Sequence, residues 1–345
     1  MYFRNIGLVV VTSLSVFLAS NSSDAQQADK IPHVGFLAPQ GRTLPLLDAF
    51  KKGLSDLGYI DGRNIVIEAR FAEGHYERFP EILAEFSRMK VDVLAVTGAV
   101  TARAAKKAVT DIPIVFSIVV DPVPDGVVPN LERPGGNLTG VTSFDPLQSK
   151  KQLELLKEVV PSLKRVAILG DQGVSEALMK AGEEQARAMG LEPQRIRLAG
   201  PVPDLDAALA AIRQQHAEAV LVLEEPVLGV YADQIAKLAA KERLPTLFAP
   251  SRVSAGGLLN YGTSQVAAIR RMTAYVDKIL KGAKPGDLPV ERVTLYELVV
   301  NVKAAREVGV TIPPEVLKRS DQKLSRSPRR ADARGIDGAA DIVMQ

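Results

Sequence analysis

Cysteine and tryptophan are both missing from all 345 residues. Without cysteine there are no disulfides, no thiolate metal sites, no thiol nucleophile and no lipidated N-terminal cysteine. Without tryptophan, and with aromatics at only 5%, the chain has little of the stacking surface that single-stranded nucleic acid uses. One-sided charge is missing too. The 43 Lys and Arg against 40 Asp and Glu leave +3, too balanced to single out a phosphate backbone as partner. The three histidines, His33, His75 and His216, are far apart and form neither His-x-x-x-His nor His-Glu-x-x-His, so a zinc or histidine-based site is not expected. Other catalytic signatures are also lacking. Ser117, Ser143 and Ser251 stand outside any Gly-x-Ser-x-Gly elbow. The segment around Gly135-Gly136 is not a Gly-x-Gly-x-x-Gly fingerprint, and Asn137-Leu138-Thr139 matches the short glycosylation sequon. The expectation is a protein without cofactor or metal that is not an enzyme.

A long apolar run occurs once, at the start. Arg4 precedes the run Ile6 to Ala19, and Asn21 to Asp24 lead to Ala25, which is the n, h and c order of a secretory signal. Small residues at Ser23 and Ala25 place the expected cleavage after Ala25. The run is shorter than the roughly 20 residues a permanent span needs. Residues 1–25 therefore read as a signal peptide, and the mature chain as a soluble, non-lipidated periplasmic protein.

From Ile31 onward, short β-rich runs alternate with helical periodicity, the pattern of parallel sheets covered by helices on both faces. Leu46, Leu47, Phe50, Leu54 and Leu57 mark one buried helix face. Asn64 to Phe71 alternates as a strand with one better-buried face. Strands are expected at Val91 to Val96 and Ile112 to Val119. The Pro- and Gly-rich stretch Asp121 to Asn137 is a long connection. A second series then repeats the order of the first, with strands at Arg165 to Leu169, Pro193 to Leu198, Ala217 to Leu223 and Pro245 to Phe248. The run Gly256 to Gly262 reads as a further strand, followed by a helix from Gln265 to Leu280 and a last strand, Arg292 to Val300. Two similar Rossmann-like βαβ lobes are the economical reading.

In such sheets ligands bind beyond the carboxyl ends of the strands. Thr97-Gly98-Ala99-Val100-Thr101 is the most informative of these ends. Exposed N–H groups and two hydroxyls at a helix N-terminus suit an anionic group such as a carboxylate, although Thr97 or Thr101 could equally be a plain N-cap. The Gly-Lys-Ser/Thr ending of a P-loop is missing. Glu224 and Glu225, at another strand end, suit a ligand ammonium. Asp121 is either a ligand contact or the turn starter of Asp-Pro.

Several ordered segments together resemble the ABC-transporter substrate-binding family with the type I periplasmic-binding fold, some of whose members bind aromatic amino acids. They are "FKKGLSDLGYIDGRNIVIEARF" from Phe50, "VDVLAVTG" from Val91, "IPIVFSIVVDPVPDGVV" from Ile112, "RPGGNLTGVTSF" from Arg133 and "LYELVVNVKAAREVGVTIPPEVL" from Leu295. The resemblance runs from about Ile31 to Asp321. It implies α/β lobes joined by a three-crossover hinge that closes on a small solute and hands it to an inner-membrane ABC permease. Lobe 1 is then 31–141 plus 256–289, lobe 2 is 142–255 plus 290–320, and 321–345 is a disordered tail. Thr97, Gly98, Ala99, Thr101 and Ser117 are expected on the lobe 1 side of the cleft, with Asp121 nearby and Ser143 near the hinge. Glu224, Ser251 and Tyr261 are expected on the lobe 2 side. Ala99 and Val100 depart from the more polar or Pro-containing turns of many relatives. An amino acid or related carboxylate is the expected solute, bound by a monomer with no nucleic-acid partner. The alternatives are a sensor that presents its closed form to a membrane receptor and a hydrolase using Glu224 or Glu225 with a serine.

Overall fold

The computed structural model describes residues 30–39, 46–143, 145, 147–200, 202–223, 228, 231–248 and 256–324. The fold described here is that of the unit beginning at Pro32. The expected signal peptide, residues 1–25, lies outside the described residues.

The first sheet forms from β1 (His33–Ala38), β2 (Val66–Phe71), β3 (Val93–Thr97), β4 (Ile114–Val119) and β5 (Leu138–Thr142), with α1 (Leu46–Asp56), α2 (Phe79–Met89) and α3 (Ala99–Ala108) between them. Its strands run parallel. Because helices cover both faces, the inner strands are apolar throughout rather than alternating. Val34, Phe36, Val93, Ala95 and Val115 face one core, while Leu37, Leu94, Val96 and Phe116 face the other. β2, at the sheet edge, is half-buried along its length, and the face expected from its alternation is the one that meets the core, with Ile65 buried and Ile67, Ala69 and Phe71 packed against it.

The second sheet forms from β6 (Arg165–Gly170), β7 (Glu192–Arg197), β8 (Ala219–Val222), β9 (Thr246–Phe248) and β10 (Leu259–Thr263). The helices α4 (Gln148–Val159), α5 (Glu176–Ala188), α6 (Leu205–Gln214) and α7 (Ala232–Lys241) flank it. The chain then returns to the first sheet as α8 (Gln265–Leu280), which packs against α1, β3, β4 and β5. Gly53 makes that approach close, since a Cβ there would stand 2.6 Å from Thr273 Oγ1. β11 (Glu291–Arg292) extends the first sheet beside β5. β12 (Tyr296–Asn301), α9 (Val302–Val308), α10 (Pro314–Arg319) and β13 (Gln322–Leu324) complete the second. The orders are β11-β5-β4-β3-β1-β2 and β13-β12-β10-β9-β8-β6-β7, with β12 antiparallel to β10.

Three differences from the sequence reading concern which sheet a strand joins. β10 (Leu259–Thr263), within the stretch expected in lobe 1, belongs to the second sheet, where Asn260 pairs with Phe248 and Val299. The run 292–300, expected as one strand in lobe 2, divides into β11 in the first sheet and β12 in the second. An apolar run shows that a strand is buried but does not name its neighbours. Asp321, expected to open a disordered tail, is instead held in the fold, exchanging two hydrogen bonds with the backbone of Leu298 (2.8 and 2.7 Å). β13 thereby pairs with β12 and buries Leu324. Residues 325–345 lie outside the described residues. The chain thus passes between the sheets three times, after β5, after β10 and after β11.

Candidate functional site

The carboxyl end of β3 leads directly into α3 through Gly98, whose φ of 82° suits a residue without Cβ. Gly98 N–H donates to the Ser117 carbonyl at 2.9 Å, and Thr97 and Ser117 are register partners on adjacent strands. Alternation along β3 and β4 puts both side chains on the face that carries Ala95 and Val115. Thr97, Thr101 and Ser117 are completely buried and Ser143 nearly so. None of the four side-chain oxygens has a hydrogen-bond partner. An unpaired buried hydroxyl costs about 1–3 kcal/mol, so four at one sheet end are a concentrated expense. No side chain caps α3, which disposes of the plain N-cap role for Thr97 or Thr101. The first N–H groups of this ten-residue helix also have no intrahelical acceptor.

The backbone at this end is strained. β4 carries a register shift between Phe116 and Val119, and Ile118 within it has a φ of 57°. For a β-branched residue that left-handed conformation costs about 1–2 kcal/mol. Opposite the bulge, Gly140 comes so close that a Cβ would stand 2.1 Å from the Phe116 carbonyl oxygen. Such strain concentrates at binding sites.

Other expected residues have different settings. The Asp121 carboxylate accepts from the Val123 N–H, the local bond of a turn starter, while burial and then the nearby Asp125 charge push its pKa up. Ser143 opens the first crossover, its N–H donating to Val119 O and its carbonyl accepting from Thr263 Oγ1 at the second (3.0 and 3.5 Å). Tyr261 packs against the core on the α4 side of the second sheet and is stacked on Tyr296 at 6.0 Å. These two rings line a cavity of about 360 Å³ with Lys151, Glu154, Glu158 and Arg319; Thr97, Thr101, Ser117 and Ser143 are not in its wall. Burial, followed by a hydrogen bond with Asp145, pushes the Tyr296 hydroxyl up to about 12. Glu224, Glu225 and Ser251 lie outside the described residues. Among the described residues no group of three or more His, Asp or Glu side chains is arranged to hold a metal ion.

Two polar residues of the second lobe were missed by sequence reasoning. Asp171, fully buried just past β6, accepts from the N–H groups of Gly173 (2.6 Å) and Leu228 (3.0 Å). Asn260 is fully buried with neither amide atom bonded, level with Phe248, the last residue of β9. Asp171 could have been found as the acidic residue at a strand end. Asn260 carries no comparable signal within its apolar run.

Two open α/β sheets with three crossovers and polar groups gathered at strand ends are the architecture of the two-lobed periplasmic binding proteins. The chain matches the model of the ABC transporter substrate binding protein family over residues 43–324 and belongs to that family. It is the substrate-binding component of an ABC transporter and not an enzyme. It is 27% identical over 295 residues to a tyrosine-binding protein of Clostridioides difficile (strain R20291), covering 82% of each chain. Among solved structures it resembles the ABC domain in complex with L-Trp from Streptococcus pneumoniae, with a TM-score of 0.76, 25% identity and coverage of 85% of this chain and 99% of that one. A ligand-free, open substrate-binding protein with adhesive properties from Clostridium difficile gives 0.61, also at 25% identity, covering 82% and 97%. At equal identity the superposition is closer to the L-Trp complex than to the open relative.

Proposed function

We propose that this chain captures an amino acid, with aromatic side chains the leading class, between its lobes outside the cytoplasmic membrane and delivers it to an inner-membrane permease. The observation that carries the site is the set of four unbonded hydroxyls, Thr97, Thr101, Ser117 and Ser143, at and just past the carboxyl ends of β3, β4 and β5, together with the uncapped start of α3 that follows β3. A carboxylate is the group these residues suit. It accepts N–H bonds from the first turn of α3, is favoured by the positive end of the helix, and accepts from hydroxyls that otherwise donate to nothing. The aromatic class is supported by the tyrosine-binding relative and the L-Trp complex. Glu224 and Ser251 remain the sequence-based expectation for the ammonium side. Residues 1–25 as signal peptide and the family membership support a periplasmic location, which N-terminal sequencing of the exported protein tests by looking for a start at Gln26.

Because the chain has no tryptophan, the fluorescence of L-tryptophan reports its own binding without background. Titration with L-tryptophan, followed by competition with L-tyrosine, L-phenylalanine and L-tryptophanamide, tests both parts of the reading. Aromatic amino acids are expected to bind and the amide to bind at least tenfold more weakly. Equal binding of amide and acid contradicts the carboxylate anchor, and no binding of any aromatic amino acid contradicts the ligand class.

A further inference from the structure

Asn260 is a polar residue that the fold itself does not use. It is fully buried, and among the described residues it alone has two buried side-chain polar atoms without a hydrogen-bond partner, Oδ1 and Nδ2. A carboxamide accepts through the first and donates through the second, so leaving both unmet costs stability twice. The chain's structural carboxamides are bonded. Asn301 Oδ1 accepts from the Ala304 N–H at 2.9 Å, Asn137 Nδ2 donates to the carbonyls of Val109 and Ile112 (3.0 and 2.8 Å), and Gln152 Nε2 donates to the Tyr261 carbonyl at 2.9 Å. An apolar side chain would fill the Asn260 position at lower cost if packing were its only purpose.

Its position is at the ligand end of the second sheet. β10 runs parallel to β9, and Asn260 is level with Phe248, the last residue of β9, so its side chain stands near the carboxyl end, where α/β sheets take ligands. It shares the face of Phe248, toward α6 and α7, while Leu259 and Tyr261 face the α4 side. The next residue on its own face toward that end is Gly262, which has no side chain to cover the amide. One residue further, Thr263 Oγ1 donates to the carbonyl of Ser143 at 3.5 Å. Three residues of strand span roughly 10 Å, so Asn260 stands that far along β10 from the crossover that carries one of the four unbonded hydroxyls. We propose that Asn260 reads the head group of the bound amino acid from the second lobe, its Oδ1 accepting from the α-ammonium and its Nδ2 donating to a carboxylate oxygen. This role rests on the proposed amino-acid ligand, and it gives the ammonium a partner among the described residues. A carboxamide suits the task because it carries no charge to be desolvated while the site is empty. A ligand lacking the ammonium leaves Oδ1 unmet, so the same residue selects the zwitterion.

Two variants and three indole ligands test this. L-tryptophan, tryptamine, which lacks the carboxylate, and indole-3-propionate, which lacks the ammonium, each report their own binding by fluorescence, because the chain has no tryptophan. Asn260→Leu nearly keeps the volume and removes both polar atoms. It is expected to melt at or above the wild-type temperature and to bind L-tryptophan about tenfold or more weakly. The wild-type preference for L-tryptophan over indole-3-propionate is expected to shrink in it by about threefold or more. Asn260→Asp keeps an acceptor for the ammonium but has no donor for the carboxylate. It is expected to shift relative affinity about tenfold toward tryptamine and away from L-tryptophan. Unchanged preferences among the three ligands in both variants overturn the proposal, whatever the absolute affinities. So does an Asn260→Leu protein that melts below the wild type, the mark of an amide held for the fold. If L-tryptophan does not bind the wild-type protein, the proposed ligand class has failed, and the melting comparison of the ligand-free proteins still decides whether Asn260 serves the fold or a ligand.

Discussion

A buried hydroxyl without a partner makes two opposite demands on a protein, and Thr97 and Ser117 are cases of both. In the free protein each costs stability; with a carboxylate in place each contributes a charge-assisted bond. Thr97→Val keeps the shape and removes the hydroxyl. Its expected outcome is unchanged or slightly raised stability, by about 1 kcal/mol or less, with affinity for the amino acid falling about tenfold. Thermal denaturation beside fluorescence titration measures the pair, and a variant that loses stability and affinity together marks Thr97 as structural. Glu183 shows the ordinary use of a carboxylate. The Arg195 guanidinium holds it below the usual range, Arg187 adds to this and burial opposes it. Because its folded pKa is depressed, its contribution is present above the unfolded pKa and is lost as pH falls through the folded one. Glu183→Gln is therefore expected to destabilise the protein near neutrality and to approach the wild type in acid, as melting curves from pH 7 down to pH 3 can follow. The residue types at the strand ends were legible in sequence. Whether Thr97 and Thr101 cap a helix or stand unbonded was not, because the answer depends on where their oxygens point.

Elements bring these residues together through local geometry that hydrophobic pattern does not encode. The run Ile112 to Val119 reads as a plain strand, and its position was legible for that reason. Its bulge, the left-handed Ile118 and the close approach of Gly140 arise from the pairing of β4 with β5. Gly140→Ala places a methyl group against the Phe116 carbonyl oxygen and is expected to destabilise by about 1–3 kcal/mol. Since the same bulge presents Ser117, ligand affinity is expected to fall as well. Urea unfolding and titration of the one variant test both statements, and a fully stable Gly140→Ala would show that the ladder can shift without cost. β10 makes a related point. The sequence Gly256 to Gly262 announces a strand, but only its ladders with β9 and β12 assign it to the second sheet and set Asn260 level with Phe248.

At the scale of the whole molecule, function depends on the relation between the two sheets, which three crossovers connect. A binding protein that closes about such a hinge shifts between open and closed populations, and a ligand moves the balance only through its preference for the closed state. Small-angle scattering with and without L-tryptophan is expected to show a smaller radius of gyration on binding. Full occupancy with no change in radius is the result that contradicts closure.

The alternation of strand and helix, the repetition of that order in two lobes, and the polar residues at strand ends were determined by the sequence itself, because periodicity and turn residues are local properties. Tertiary structure decided which sheet receives β10 and β11, that β13 pairs with β12, that the hydroxyls of Thr97, Thr101, Ser117 and Ser143 lack partners, and that Tyr261 lies beside Tyr296 on the α4 side. Each of these depends on contacts between residues distant along the chain, and such contacts exist only once both sheets have formed and come together.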